Sequence, residues 1–201
     1  MRKTIVLIDC ATLVAMGNRE DLLAGARRCL FDKGYARTTV RDIATAAGVS
    51  MAAIGYHFGS KEALLTEALA EATREWGADL ERALAGDSDP GSDPWQRFAD
   101  RWDAAASTIA AHRGVWSATF DALAHPEARA QLAGNLGEAR AGLARLFDGT
   151  DDNDTAAARS RGALYQALLT GIAAQYLIDP HCAPTGSELA EGLRRLTDAP
   201  Q

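Results

Sequence analysis

The 201-residue sequence lacks the features that stabilise secreted and membrane proteins. Its three cysteines, Cys10, Cys29 and Cys182, form neither an even set nor a CxxC pair, so no disulfide framework is expected. Asp9 interrupts the apolar stretch near the N-terminus, which is too short and too broken for a membrane span of about 20 apolar residues. We therefore expect a cytoplasmic protein that does not cross a membrane.

Motifs that mark common enzyme and metal sites are also missing. The sequence contains no GxSxG, HExxH or glycine-rich phosphate loop, so an enzyme would need a site built wholly from tertiary contacts. His112, Asp121 and His125 are candidate metal ligands, with Asp121 and His125 one helical turn apart. No third ligand has convincing spacing, however. We expect no catalytic residue, metal or cofactor.

Strand patterns are scarce, being limited to residues 4–8, and helical patterns dominate the rest. Apolar residues recur at helical spacing from Arg19 to the C-terminus. In residues 40–47, for example, they fall at i, i+3, i+4 and i+7 before Gly48. The sequence predicts an all-α protein.

Basic residues are concentrated at one end of the chain, although the net charge is −6. Residues 1–61 contain nine Lys and Arg against five Asp and Glu, a net charge of +4. Residues 62–201 contain 12 against 22, a net charge of −10. Attraction to nucleic-acid phosphates is therefore expected only in the first third of the chain.

Residues 38–61 have the pattern of a helix-turn-helix, in which two short helices meet at a tight turn. Ala44 is small enough for the two helices to cross closely, and Gly48 gives the turn a permissive backbone. Val49 and Ile54 fill the angle between the helices. This pattern predicts that the outward face of the second helix is free to bind DNA.

The position of each residue in this motif predicts its contact with DNA. The N-terminal residues of the second helix reach base edges in the major groove, and flanking polar residues reach phosphates. We expect base contacts from Ser50, Met51, Ala52 and Ala53. We expect phosphate contacts from Thr38, Thr39, Arg41, Tyr56, His57 and Lys61.

Residues 19–69, above all GVSMAAIGYHFGSKEALL from Gly48 to Leu65, resemble the DNA-binding domain of the TetR family. Gly55 stands where such sequences usually have a tyrosine that contacts phosphate, and Tyr56 is the candidate to replace it. The resemblance implies a homodimer formed mainly by the last two long helices. It also implies an effector pocket inside the C-terminal half.

The expected organisation is an N-terminal arm of unclear role (1–18), a three-helix DNA-binding domain (19–65) and a helical effector-binding and dimerisation domain (66–201). Large side chains of the third segment form aromatic stripes, which are often core but as a group favour a pocket. The candidate effector-binding residues are Trp95, Phe98, Trp102, Trp116, Phe120, Phe147, Tyr165 and Gln166. A homodimer is expected to bury residues 165–178 and the apolar stripe Leu189, Leu193 and Leu196.

Together these patterns predict a ligand-responsive transcriptional regulator, a repressor that a small molecule releases from its operator. Its expected partners are operator double-stranded DNA, a second copy of the chain and a largely apolar effector that is neutral or cationic. The alternatives are a helical enzyme or ligand-binding module with a vestigial helix-turn-helix, and a protein-interaction adaptor that uses the acidic half.

Overall fold

The computed structural model describes residues 10–86, 91, 93–148 and 155–198, with side chains from residue 18 onward. Over these residues the chain forms helices joined by turns, with no strand: α1 (Cys10–Lys33), α2 (Val40–Ala47), α3 (Met51–Phe58), α4 (Lys61–Leu84), α5 (Pro94–Ala111), α6 (Arg113–Ala122), α7 (Pro126–Asp148), α8 (Ala156–Ile178) and α9 (Gly186–Thr197). The all-α prediction is confirmed. None of these helices is long and apolar enough to cross a membrane.

Capping residues set several helix bounds. The hydroxyl of Thr155 accepts the Ala158 N–H at 3.1 Å where α8 begins, and Thr185 with Glu188 forms a reciprocal capping box at α9. At the N-terminus α1 begins at Cys10 rather than at Arg19, where the apolar periodicity first becomes clear. The strand pattern in residues 4–8 lies outside the described residues.

Packing divides the chain into two compact units, each taken over its described residues. One comprises Met1–Ala72 and Ala118–Arg129, and the other comprises Thr73–Ser117 and Ala130–Gln201. Residues 118–129 therefore pack with the N-terminal helices, which no local pattern indicated. The functional division at residues 18 and 65 stays a prediction.

The core of the first unit forms where α1 crosses α2. Leu22, Leu30 and Ile43 are fully buried there. A Cβ atom on Gly25 would lie 3.0 Å from the Cβ of Ala47, so the absence of a side chain lets the two helices approach closely. Burial of each large apolar side chain contributes about 1.5–3 kcal/mol to folding.

The second unit is held by aromatic side chains and by two close helix crossings. Trp102, Ile109 and Leu169 are almost fully buried in it. A side chain on Gly162 would collide with the backbone of α7, and one on Gly186 would collide with the backbone of α5. The Gly186 N–H also donates to Asp103 Oδ1 at 2.7 Å, which fixes the start of α9 on α5.

Candidate DNA-binding surface and effector site

Two polar residues fix the start of α2. The Asp42 carboxylate accepts the Thr39 N–H at 2.9 Å, and the Thr39 hydroxyl accepts the Asp42 N–H at 3.2 Å, a reciprocal capping box. Lys33 Nζ lies 2.5 Å from Asp42 Oδ1. The hydrogen bond from Lys33, followed by those from Thr39, holds the pKa of Asp42 well below its usual range. This anchoring leaves the start of α2 at the protein surface, where Thr39 and Arg41 are exposed.

The turn between α2 and α3 depends on Gly48. Its φ of 70° lies in the left-handed region that favours glycine. The Val49 N–H donates to the Ala44 carbonyl at 3.1 Å, and the Arg28 side chain donates to the Ala46 carbonyl. The end of α2 is thereby satisfied, and the chain can turn sharply into α3.

The N-terminal half of α3 presents the side chains predicted to contact bases. Met51 is 51% exposed, Ser50 and Ala52 are exposed, and Ala53 is half-buried. Ser50 occupies the N-cap position, but its hydroxyl makes no capping hydrogen bond. That hydroxyl is therefore not engaged by the backbone of its own helix.

The C-terminal half of α3 is dominated by an exposed tyrosine. Tyr56 is 82% exposed, and its ring packs edge-on against His57 with 4.9 Å between ring centroids. Lys61, at the start of α4, donates from Nζ to the Thr38 carbonyl at 3.1 Å and lies 3.3 Å from Glu62. Its ammonium therefore lies beside the N-terminus of α2.

Thr38 corrects the sequence interpretation. It is only 1% exposed, and its hydroxyl donates to the Gly34 carbonyl at 2.7 Å. The side chain is thus part of the core between α1 and α2. Of the two adjacent threonines, only Thr39 has an exposed side chain, and its contact with DNA stays a prediction.

Two residues that position this surface were not predicted from sequence. The Arg19 guanidinium lies over the Phe58 ring, 5.1 Å from its centroid, and pairs with Glu67 on α4. Asp121 accepts the backbone N–H of Tyr35 at 2.5 Å and that of Ala36 at 3.3 Å, in the turn between α1 and α2. Neither contact can be predicted from local sequence patterns, because the residues that it joins are far apart in the chain.

Comparison with known proteins agrees with this geometry. Residues 22–68 match the model of a family described as bacterial regulatory proteins, tetR family. A transcriptional repressor, AcnR of Corynebacterium efficiens, is 47% identical over 49 residues, which are 24% of this chain and 26% of the relative. The repressor KstR2 of Mycolicibacterium smegmatis is 32% identical over 111 residues, which are 55% of this chain and 45% of the relative.

The match to the tetR family covers residues 22–68 of this chain, which contain the helix-turn-helix. A solved structure described as the multidrug binding protein EbrR complexed with imidazole has 28% identity and a TM-score of 0.64, with 90% of each chain covered. A transcriptional regulator from Rhodococcus, at 22% identity and a TM-score of 0.62, shows the same fold over 91% of this chain and 99% of its own. Matches to the named repressors are shorter, since the chain spans less than half of their length. These relatives are regulators, so a helical enzyme with a vestigial motif is not favoured.

Four of the eight candidate effector residues form one aromatic cluster in the second unit. The Trp102 and Phe147 rings stack with centroids 4.6 Å apart, and the Phe147 and Tyr165 rings stack at 4.9 Å. Phe98 lies 6.0 Å from Trp102. We call Phe98, Trp102, Phe147 and Tyr165 the aromatic cluster.

The other four candidates lie apart from the centre of this cluster. Trp95 touches only its edge, 6.3 Å from Phe98, and carries the Arg194 guanidinium over its ring. Trp116 instead packs edge-on against Trp76 at 5.0 Å, and Gln166 donates to Thr170 on its own helix. Phe120 belongs to the first unit. The eight candidates therefore do not all lie in one cluster, and the effector site stays a prediction.

A polar edge borders the aromatic cluster. The Tyr165 hydroxyl donates to Asp148 Oδ1 at 2.6 Å, and Arg161 Nε lies 2.5 Å from Asp148 Oδ2. Burial, followed by this hydrogen bond to Asp148, raises the pKa of Tyr165, so the phenol stays neutral at physiological pH. The indole Nε1 of Trp102 is buried and has no acceptor among the described residues.

The three candidate metal ligands have separate structural roles. His112 Nε2 lies 2.7 Å from Asp79 Oδ2, the His125 ring packs against Tyr35 with 4.5 Å between centroids, and Asp121 binds backbone N–H groups. Among the described residues no group of three or more His, Cys, Asp or Glu side chains is arranged to hold a metal ion.

Proposed function

We propose that the chain is a ligand-responsive transcriptional repressor that binds operator DNA as a homodimer and is released by a small molecule. The observation that carries this proposal is the exposed face of α3, on a helix-turn-helix that lies within the match to the tetR family. Met51 and Tyr56 leave large apolar surfaces in water there. An eight-residue helix with such a face is suited to contacts with base methyl groups and sugars in a major groove.

The distribution of charge along the chain also favours DNA binding near α3. The net charge of +4 lies in residues 1–61, whereas the remainder of the chain carries −10. Arg41 is exposed at the start of α2, whose N-terminal N–H groups also favour a phosphate. The acidic remainder repels the phosphate backbone, so DNA should contact residues 1–61 and not the rest of the chain.

Homodimerisation is supported by apolar side chains that the single chain leaves in water. On α8, Leu164 is 45% exposed and Ile178 is 83% exposed, 14 residues apart and hence on one face of the helix. Leu196 on α9 is also largely exposed. In the proposed dimer, two copies of α3 enter successive major grooves about 34–36 Å apart.

The aromatic cluster indicates which kind of effector the protein would bind. Its stacked rings suit a flat, largely apolar molecule. A buried donor without an acceptor costs about 1–3 kcal/mol, and the Trp102 indole N–H is such a donor. We expect an effector ring system that carries one hydrogen-bond acceptor, such as a carbonyl oxygen.

Release from the operator then follows from linkage. The effector must bind more tightly to the protein state that cannot bind DNA than to the state that can. In typical allosteric proteins this difference is about 1–3 kcal/mol. Operator DNA must weaken effector binding by the same factor. In the proposed mechanism, effector binding changes the spacing of the two α3 helices in the dimer.

A selection from random-sequence DNA with the purified protein tests the proposal. We expect an inverted repeat whose half-sites are about one helical turn apart. A screen of uncharged aromatic ketones for release from the selected duplex then tests the effector. Recovery of no preferred sequence would contradict operator binding, and a preferred sequence that no compound displaces would contradict ligand response alone.

A further inference from the structure

Gly55 occupies a position in α3 where the fold gives no reason for glycine. It is the fifth residue of an eight-residue helix, Met51–Phe58. A helix with glycine in its interior is less stable than the same helix with alanine, because a glycine residue loses more backbone conformational freedom when the chain folds. A helix of two turns has little stability to spare.

Backbone conformation does not require glycine at this position. The glycines with positive φ are Gly34, Gly48 and Gly59 among the described residues, and Gly55 is not one of them. An alanine would therefore adopt the Gly55 backbone without strain.

Packing within the chain does not require glycine either. A Cβ atom on Gly55 would have no heavy atom of the described residues within 4 Å, apart from its chain neighbours and the backbone of its own helix. Gly25 shows the contrast, because a Cβ there would lie 3.0 Å from Ala47. The fold explains the small residue at Gly25 and leaves the one at Gly55 unexplained.

The surroundings of Gly55 form a notch on the exposed face of α3. Ala52 and Gly59 lie one helical turn before and after it, and both are exposed. Met51 lies one turn before Gly55, and Tyr56 is the next residue, about 100° further around the helix; both side chains are exposed. The helix backbone is therefore uncovered between two large exposed side chains.

We propose that the sugar–phosphate backbone of one operator strand seats in this notch, against the bare α3 backbone at Gly55. This inference rests on the proposed DNA-binding function. The N-terminal residues of a recognition helix reach base edges, whereas Gly55 lies one turn further along, beside Tyr56. A glycine exposed on a binding face permits close approach of another backbone, which a methyl group would hold away.

The test compares Gly55→Ala with Gly134→Ala, a glycine on α7 that is also exposed and has no heavy atom within 4 Å of an added Cβ. Both variants should raise the midpoint of thermal unfolding by about 2–4 °C, because each replaces an unconstrained helical glycine. The DNA probes are a duplex selected by the wild-type protein and a scrambled duplex of equal length. Gly55→Ala should weaken binding to both by about tenfold, while Gly134→Ala leaves both unchanged.

The outcomes separate this inference from the proposed function. If wild-type protein binds the selected and scrambled duplexes equally, sequence-specific regulation fails whatever the variants do. If wild-type protein discriminates but Gly55→Ala binds as tightly, the close approach at Gly55 is wrong. Loss of affinity for the selected duplex alone would place a base edge in the notch and overturn the backbone assignment. A fall in thermal stability of Gly55→Ala would show that the fold itself requires the glycine, which also overturns the inference.

Discussion

The carboxylate of Asp121 accepts the backbone N–H of Tyr35 at 2.5 Å, joining two residues that are 86 positions apart. The same oxygen accepts the Ala36 N–H at 3.3 Å. The turn that leads from α1 into α2 is therefore held by a side chain of α6. Since α2 packs against α3, the helix proposed to bind DNA, we expect the stability of this turn to influence operator affinity.

Replacing Asp121 should loosen this turn. Asp121→Ala leaves the Tyr35 N–H without its acceptor and should cost about 1–3 kcal/mol of unfolding free energy, measured by urea denaturation. Asp121→Asn keeps an acceptor oxygen and should recover part of the loss. Glu138→Ala, at an exposed position of α7, is the control and should change stability by less than about 0.5 kcal/mol. Equal stability of Asp121→Ala and wild-type protein would show that the contact is unimportant.

Replacing each of two glycines of α9 by alanine should change the stability of the protein in opposite directions. A Cβ on Gly186 would collide with the Ala99 carbonyl, so Gly186→Ala should destabilise the protein by about 1–3 kcal/mol. A Cβ on Gly192 meets nothing within 4 Å, and Gly192→Ala should stabilise it by up to about 1 kcal/mol. Thermal unfolding of the two variants measures both effects, and stabilisation by Gly186→Ala would disprove the close crossing.

Assembly should depend on the exposed face of α8. Ile178→Glu places a charge on a side chain that is 83% exposed in the single chain, so it should yield a folded monomer if a partner covers that face. Ile172 lies within the segment 165–178 that the sequence predicts a dimer to bury, but it is 2% exposed in the single chain and belongs to the core. Ile172→Glu should therefore unfold the chain. Sedimentation velocity and circular dichroism separate the two results, and a wild-type monomer at micromolar concentration would contradict the dimer.

Effector binding should depend on the Trp102 N–H. Trp102→Phe keeps an aromatic ring in the stack and removes the donor, so a ketone that releases wild-type protein from DNA should bind about tenfold more weakly. Trp116→Phe, which alters the separate Trp76 pair, is the control. Titration by intrinsic fluorescence measures both affinities, with operator binding retained in each variant. An unchanged affinity for Trp102→Phe would remove Trp102 from the effector site.

Phosphate contacts should appear in the salt dependence of DNA binding. Lys61→Ala should weaken binding to all sequences alike and lower the slope of log affinity against log salt by about one. Because Lys61 also bonds the Thr38 carbonyl, Tyr56→Phe supplies a variant without a folding cost. It should weaken binding to all sequences alike without changing the salt slope, since the hydroxyl carries no charge. A changed operator preference in either variant would contradict the phosphate assignment.

Local patterns predicted much of the fold because helix ends are decided by neighbouring residues. The bounds Ala156–Ile178 of α8 and the capping pair Thr185 and Glu188 are set within a few residues of the chain. The same is true of the turn at Gly48. These features need no knowledge of distant contacts.

Features that depend on tertiary contacts were not predictable in the same way. Thr38 and Thr39 are chemically identical, and only the contact with the α1 end buries Thr38. The low charge of α8 leaves no polar face to show that Ile172 points inward. The roles of Asp121 and Phe120 depend on a segment that packs with residues far from it in the sequence.

Recognition of a specific operator by α3 should appear in the ratio of the affinities for selected and scrambled DNA. Fluorescence anisotropy at a single physiological salt concentration should give binding to the selected duplex that is about a thousandfold tighter or more. Replacement of Met51 by Ala should reduce that ratio while leaving the affinity for the scrambled duplex unchanged. Equal affinity of the wild-type protein for both duplexes would contradict the account.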